Sequence, residues 1–380
     1  MIYHLLEWQK GFWNAIGFYA FEDIAFRSVM AALTSLVLSI TLGPKVIRLL
    51  IRAKLGDVPD SNLKDFTNDK TDVPTMGGVL ILISIITAVL LWAKLNNAFV
   101  IKSIFVLVWY GLIGAADDWV KLKYAAKKGE RQGLYSWEKL LFQVGGALLI
   151  TLFVYFDFRD IPDGRMFWIP FYKTGIIMPA IFFIPFGVLY ITALSNAVNL
   201  TDGMDGLASG CTAIVSVVLA LLCFVCSETM GRFTDVTWAS YLLLPYIPQS
   251  GELTVLYSGI IGSLLGFLWF NCNPAKVFMG DTGSLPLGAV IGYGAMVTRN
   301  EILLILTGGV FVWEMASVII QVSYFKWTKK KYGQGRRVFL VAPIHHHFHK
   351  KGWPEQQVVV RFWLIALAFA AISLATLKIR

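Results

Sequence analysis

The amino-acid sequence predicts an all-α integral membrane protein of about ten transmembrane helices with a cytoplasmic-face active-site cleft, and three observations indicate this fold class. First, its 380 residues are 57% hydrophobic and only 15% charged, with a mean hydropathy of +0.65, more than a water-soluble globular protein usually carries. Second, the hydrophobic residues form separate runs close to the length that a spanning helix needs. Third, Lys and Arg are distributed unequally between alternate loops.

Ten hydrophobic runs are the candidate spans, and several of them are short. They lie at about 25–42, 75–93, 99–116, 138–156, 176–193, 207–226, 253–270, 284–298, 302–324 and 359–378. A further run near 237–248 contains two prolines and is expected to be interfacial. The N-terminal segment has acidic residues and no small-residue cleavage site, so the first helix is expected to be retained. The chain, 1–380, is expected to be a single polytopic domain, and its four cysteines, in or beside these runs, to be buried thiols.

Basic residues predict the orientation. The loops after the first, third, fifth, seventh and ninth runs hold 20 of the 33 Lys and Arg residues, whereas the opposite side, tails included, holds 9. Since positive charge is retained on the cytoplasmic side, these five loops are expected in the cytoplasm and both termini outside. Anionic lipid headgroups and an anionic substrate explain the net charge of +9, so no nucleic-acid partner is expected.

The polar residues that could act in binding or catalysis fall in the same five loops. Asp117 and Asp118 end the third run, where adjacent carboxylates need water, a cation or a shared proton. A solvated helix end beside Lys121 and Lys123 explains this pair equally well.

The stretch NAVNLTDGMDGLA is more specific. Its polar residues recur every three positions: Asn196, Asn199, Asp202 and Asp205. Helical spacing places the first three near one face, and the intervening glycines allow a ligand to approach the backbone. A helix cap would need only one or two such residues, so a binding function is favoured.

Asp281 lies between two glycines in FMGDTGS, a loop that would place a carboxylate beside a ligand while Phe278 stacks on a planar base. A simple turn explains the glycines equally well. Asn271 and Asn273, just upstream, add amides that can hydrogen-bond a base or a sugar.

These charges favour a divalent cation. Carboxylates alone would bind phosphate poorly, whereas Mg²⁺ is held by one or two carboxylates together with substrate phosphates. Phosphoryl transfer depends on such positioning and charge neutralisation. The GxxxxGK[ST] motif is absent from the sequence, which excludes a P-loop nucleotide site.

The ninth loop holds four of the five histidines, His345, His346, His347 and His349. Zinc is disfavoured because this loop lacks cysteine and the HExxH spacing is absent. Beside Lys350 and Lys351 the histidines are expected to donate to phosphate oxygens or to exchange a proton, and a solvated cluster is the alternative. Glu314, inside the ninth run, is expected to face the protein interior or a helix break, because an ionisable group there is normally functional.

Four motifs, AADDWVK, NAVNLTDGMDGLA, NPAKVFMGDTGSLPLG and APIHHHF, resemble those of the polyprenyl-phosphate N-acetylhexosamine-1-phosphate transferase superfamily. PIHHHF, with the preceding GQGRR and the MGG after the first run, resembles the branch whose donor is UDP-MurNAc-pentapeptide. The resemblance covers essentially the whole chain. It implies Mg²⁺-dependent transfer of phospho-MurNAc-pentapeptide to undecaprenyl phosphate, giving lipid I and UMP for peptidoglycan biosynthesis. It also implies a homodimer in the bacterial inner membrane with its active site facing the cytoplasm.

The resemblance further implies residue roles. Asp281 corresponds to the metal-binding aspartate, and Asp117 and Asp118 to the paired aspartates, of which Asp117 is the base acting on the lipid phosphate. The implied uridine pocket consists of Asn199, Leu200, Asp202, Gly203, Asn271 and Phe278. The remaining polar cleft consists of Lys70, Lys139, Asp205, Gln321 and the histidines, with Asn196 nearby and His345, His346 and His347 as catalytic candidates.

Two other functions remain open at this point. A related transferase would use UDP-GlcNAc, and charge patterns do not determine which sugar is used. An ion-coupled transporter would also have ten helices, but it predicts carboxylates near the bilayer midplane, where only Glu314 is expected here. Transfer in one in-line step and transfer through a phospho-enzyme are both compatible with the sequence.

Overall fold

The computed structural model describes residues 1–15, 20–53, 73–125, 133–169, 172, 174–230 and 236–377, which form a bundle of helices. In chain order these are α1 (Ile2–Trp8), α2 (Lys10–Ala15), α3 (Ile24–Arg52), α4 (Gly78–Trp92), α5 (Ala98–Ala125), α6 (Ser136–Asp157), α7 (Ala180–Thr201), α8 (Leu207–Val225), α9 (Trp238–Leu242), α10 (Glu252–Asn271), α11 (Asp281–Val297), α12 (Glu301–Thr307), α13 (Gly309–Tyr332), α14 (Ile344–Lys350) and α15 (Glu355–Ala375). Two short antiparallel strands, β1 (Met166–Phe167) and β2 (Ile176–Ile177), lie between α6 and α7.

Seven helices are long and apolar enough to cross a membrane, within the described ranges: α3, α5, α6, α7, α8, α10 and α15. The pair α12 and α13 passes the same test together but is bent by 81° at the break between its two halves. Helix α4 has 15 residues and α11 has 17. A helix therefore occupies each of the ten predicted runs, the ninth as a broken pair, while the number of spans stays a prediction. The proline-containing run near 237–248 forms only the 5-residue α9.

Helix α11 lies at the centre of the bundle. Every residue from Asp281 to Val297 is buried, because α5, α7, α8 and α4 pack around the helix. Glycine makes one of these contacts possible: a Cβ on Gly288 would lie 2.4 Å from the carbonyl oxygen of Leu194 on α7. The central position fixes the first residue of α11, Asp281, relative to the surrounding helices.

Small residues bring α10 against α3. A Cβ on Gly262 would lie 2.0 Å from the carbonyl oxygen of Ala32, and Gly266, one turn later, packs on Ser39. The hydroxyls of Ser39 and Ser263 are 3.3 Å apart between the two helices. Such small-xxx-small spacing is typical of closely packed membrane helices.

Two buried ion pairs lie at one end of the bundle. Where α3 and α10 begin, Arg27 of α3 donates two hydrogen bonds of 2.6 and 2.7 Å to Glu252 of α10. Arg299 and Glu301, which precede and begin α12, form a second buried ion pair. The helices between the two ends are apolar, as a spanning bundle requires.

The expectation for the cysteines was wrong at one position. Cys211, Cys223 and Cys226 are buried, but Cys272 is exposed. It follows the last residue of α10 and therefore lies at the helix end rather than inside the bundle.

Candidate active site

Three aspartates from distant parts of the chain meet at one end of the bundle. Asp117 and Asp118 lie near the end of α5, Asp281 begins α11, and the three residues offer carboxylate oxygens that all lie within 4.8 Å of one another. The missing side chain of Gly114 permits this approach, because a Cβ there would lie 2.1 Å from the carbonyl oxygen of Asp281. Such a group of carboxylate oxygens suits a hard divalent cation.

Two lysines share this cluster. Lys121 Nζ lies 2.7 Å from Asp117 Oδ2 and 3.1 Å from Asp281 Oδ2. Lys139 Nζ, from the first turn of α6, forms an ion pair with the same Asp281 oxygen and lies 3.7 Å from Asp117 Oδ2. When all five groups are ionised, three carboxylates and two ammonium groups leave one net negative charge. A divalent cation would reverse that sign and make the cluster attractive to phosphate.

Asp118 also supports the helix that carries Asp281. It accepts hydrogen bonds from the backbone N–H of Asp281 at 3.2 Å and from the N–H and hydroxyl of Thr282 at 2.9 and 2.7 Å. These donors lie at the N-terminus of α11, where backbone N–H groups have no partner within the helix. Asp118 therefore acts as a cap supplied by another helix, in addition to its place in the cluster.

Of the two predicted amides on α7, Asn199 contacts Asp281. Asn199 Nδ2 donates to Asp281 Oδ1 at 2.7 Å and to the Ser284 hydroxyl at 2.9 Å. Asn196, one turn earlier, donates at 2.9 Å to Gln143 of α6 instead. The three-residue spacing thus places Asn199 on the aspartate cluster and Asn196 behind it.

Two of the predicted uridine-pocket and cleft residues hold loops together. The side-chain oxygen of Asn271 accepts hydrogen bonds from the Gly206 N–H and the Ser209 hydroxyl, both at 3.1 Å, and its amide donates to the Val277 carbonyl. Asp205 accepts from Asn273 Nδ2 at 3.0 Å. In this structure both side chains are therefore engaged within the protein.

The other predicted pocket residues lie nearer the surface. Leu200, Asp202 and Phe278 are half-buried and Gly203 is exposed. The backbone of Phe278 donates to the Pro74 carbonyl and accepts from the Gly77 N–H. A Cβ on Gly77 would lie 2.6 Å from the Phe278 carbonyl oxygen, which explains the glycine at this position. Lys70 lies outside the described residues.

The histidine stretch forms α14, and its members have different environments. His345 is fully buried, and its Nδ1 lies 3.0 Å from Glu314 Oε2. Its Nε2 faces Gly203, where a Cβ would lie 2.4 Å away, and its ring centroid is 4.1 Å from that of His346. Since Gly203 lies four residues after Asn199, just beyond the end of α7, this stretch connects the histidine pair to the aspartate cluster.

His347 and Gln321 hold the segment before α14. His347 Nδ1 accepts the Leu340 N–H at 3.1 Å, and Gln321 Oε1 accepts the N–H groups of Val338 and Phe339. Burial, helped by the charge of Lys351, lowers the pKa of His347, consistent with a neutral ring whose Nδ1 is an acceptor. The described contacts give these two residues a structural role.

Sequence reasoning left three important residues without an assigned role. Lys121 was expected close to the paired aspartates but was given no role of its own, although it lies four and three residues after them and so faces the same side of α5. Glu314 carried the signal of an ionisable group in a hydrophobic run, but its partner His345 was not identified. Thr282, next to Asp281, was also missed.

A family model matches the middle of the chain, and named relatives match all or nearly all of it. Residues 100–299 match the model of glycosyl transferase family 4. A protein of Chlorobium phaeobacteroides named phospho-N-acetylmuramoyl-pentapeptide-transferase is 43% identical over 384 residues, covering 100% of both chains. A protein of the same name from Desulfotalea psychrophila is 43% identical over 383 residues, covering 100% of both chains. Another from Thermodesulfovibrio yellowstonii is 44% identical over 369 residues, covering 96% of both chains.

Proposed function

The chain belongs to the phospho-N-acetylmuramoyl-pentapeptide-transferase family, and on that premise we propose that it transfers phospho-MurNAc-pentapeptide from UDP-MurNAc-pentapeptide to undecaprenyl phosphate. The products are lipid I and UMP, and the reaction belongs to peptidoglycan biosynthesis. The observation that supports this activity, and that locates it in the structure, is the cluster of three aspartates and two lysines.

Mg²⁺ is the proposed cofactor. Its preference for carboxylate oxygens matches the donor set, with Asp281 as the main ligand and Asp117 and Asp118 within reach of the same ion. When bound, the ion would neutralise charge on the phosphates of the two substrates.

The transfer itself exchanges one phosphorus–oxygen bond for another. An oxygen of the lipid phosphate bonds to the β-phosphorus of the donor, and the bond from that phosphorus to the bridging oxygen breaks, so that UMP leaves with the bridging oxygen. Whether this takes one in-line step or two through a phospho-enzyme, both anionic substrates must approach one another, and positioned cations lower that repulsion. Lys121 and Lys139 are placed to serve in this way.

Asp117 is the proposed base for the lipid phosphate. Its Oδ1 accepts the Leu134 N–H at 2.8 Å, which fixes the carboxylate and leaves Oδ2 on the side of the two lysines. A monoprotonated lipid phosphate would give its proton to Oδ2 before attack. Asn199, which donates to Asp281, keeps that neighbouring carboxylate in place during the step.

We further propose ten membrane spans, with the broken pair α12–α13 counted as one span and the short helices α4 and α11 as two. The aspartate end would face the cytoplasm of a bacterium, in its inner membrane, and the termini would lie outside. The support is the excess of Lys and Arg in the loops at that end, 20 against 9. The protein is proposed to act as a homodimer.

UMP release by the purified protein tests the activity. The protein is given undecaprenyl phosphate with UDP-MurNAc-pentapeptide or UDP-GlcNAc, each with Mg²⁺ and with EDTA. We expect metal-dependent release from the muramoyl donor alone. Release from UDP-GlcNAc would overturn the donor but keep the chemistry, undiminished release in EDTA would overturn the cofactor, and no release from either donor would favour a transporter.

A further inference from the structure

Glu314 is an ionisable group sealed inside the protein. It lies in α13, shortly after the break that separates α12 from α13, and no part of it is exposed. Its Oε2 accepts the Ile344 N–H at 3.1 Å and lies 3.0 Å from His345 Nδ1. A buried carboxylate without a partner is costly, and among the described residues the side chain that hydrogen-bonds to it is His345.

The two contacts at Oε2 determine where the proton of His345 lies. A backbone N–H can only donate, so Oε2 is already an acceptor for Ile344. An ionised carboxylate can only accept, so Nδ1 must present a hydrogen to Oε2, which puts the proton of a neutral ring on Nδ1. As a result, Nε2 is the basic nitrogen of His345.

That basic nitrogen is directed at the loop that follows α7. Within the part of the chain that the structure describes, His345 Nε2 is buried without a hydrogen-bond partner, and the missing side chain of Gly203 gives it room. Gly203 lies four residues after Asn199, which binds Asp281. The orientation of His345 is thereby coupled to the segment that leads to the aspartate cluster.

We infer that Glu314 is a positioning residue, which fixes the ring and tautomer of His345 and through it the loop at Gly203. The inference rests on the proposed transferase function, since it adds to that reaction a residue that acts through His345. A purely structural alternative exists, in which Glu314 only caps α14 through Ile344. The two differ because a glutamine can still accept the Ile344 N–H but carries no charge to hold the Nδ1 proton.

The test combines a spectroscopic readout with turnover. Wild-type protein and Glu314→Gln are labelled with ¹⁵N-histidine, which gives signals from only five residues, and His345→Gln assigns the signal of interest. We expect an Nδ1–H tautomer for His345 in the wild type and a changed signal in Glu314→Gln. UMP release should fall about 10-fold to 100-fold, as when outer partners of functional histidines are removed.

Two further variants identify the cause. Glu301→Gln removes the other fully buried glutamate of the broken helix pair, at the opposite end of the bundle, and should change turnover no more than its loss of thermal stability explains. Glu314→Gln combined with His345→Gln should lose no more activity than His345→Gln alone, because Glu314 acts through His345.

Each outcome has one meaning. Wild-type turnover together with an unchanged His345 signal in Glu314→Gln would overturn the inference, and so would additive losses in the double variant. If the wild type itself released no UMP, the transferase proposal would fail, while the tautomer measurement would still decide whether Glu314 controls His345.

Discussion

At the scale of single residues, Gly203 has a role that its neighbours alone do not indicate. The sequence suggested that glycine there admits a ligand to the backbone, whereas in the structure it makes room for the ring of His345. The ring is held on its other side by Glu314, so it has little freedom to move away. The position therefore needs glycine for a contact within the protein.

Gly203→Ala should lower UMP release by about 100-fold, because small displacements of positioned groups near a reacting centre cost this much. The physical reason is a Cβ placed 2.4 Å from His345 Nε2. Gly145→Ala on α6 is the matched control, since its new Cβ would have nothing within 4 Å. Wild-type turnover in a folded Gly203→Ala protein would remove the proposed importance of this contact.

At the scale of an element, the N-terminus of α11, which carries Asp281, is capped by a side chain from another helix. Its first residues donate to Asp118 of α5, and its remaining length is buried among other helices. An arrangement of this kind fixes Asp281 without relying on a flexible loop. The Thr282 hydroxyl contributes directly to that cap, at 2.7 Å from Asp118.

Thr282→Val should therefore reduce activity and stability together. Loss of a hydrogen bond to a carboxylate costs about 2 kcal/mol, and the released Asp118 is expected to disturb the cluster enough to lower UMP release about 10-fold. Both quantities are measured in detergent, as thermal unfolding and as UMP release.

The control for this substitution is Thr298→Val at the other end of α11. The Thr298 hydroxyl donates to the Gly294 carbonyl one helical turn earlier, at 2.9 Å. Thr298 is buried, as Thr282 is. It should lose some stability and retain turnover. Equal losses of turnover in the two variants would indicate a general effect of loosening α11.

At the scale of the whole molecule, the alternation of the helices places the proposed chemistry at one end. Helix α5 ends, α6 begins, α7 ends and α11 begins at the aspartate cluster, while the buried pair Arg27–Glu252 lies at the other end. The native cysteines can show which side of the membrane the aspartate end of the bundle faces. Three are buried, and exposed Cys272 lies next to Asn271 at the site end.

A membrane-impermeant maleimide should label Cys272 from the cytoplasmic side only. Inside-out membrane vesicles are expected to react and right-side-out vesicles to remain unlabelled, because the other three thiols are buried. The Cys272→Ser variant should abolish labelling and so serves as the control. Labelling confined to right-side-out vesicles would reverse the proposed orientation.

The sequence by itself determined the helical elements and identified the side chains that could act in binding or catalysis. A spanning segment must satisfy its backbone hydrogen bonds internally, so a long apolar run specifies a helix with little help from its surroundings. The motifs around Asp117, Asp281 and His345 were likewise visible as local patterns of charge and glycine. Each of these signals lies within a few residues of the position it describes.

Only the tertiary structure decided which of these side chains meet. Asp118 caps a helix that begins 163 residues later, Lys121 contacts Asp117 and Asp281, and Asn271 is engaged within the protein. The His345 partner, Glu314, lies on a different helix beyond a break. Such contacts depend on how closely whole helices and loops pack. Glycines such as Gly114 and Gly203 permit the close approach. Local spacing in the sequence does not encode which residue fills the space that a glycine leaves.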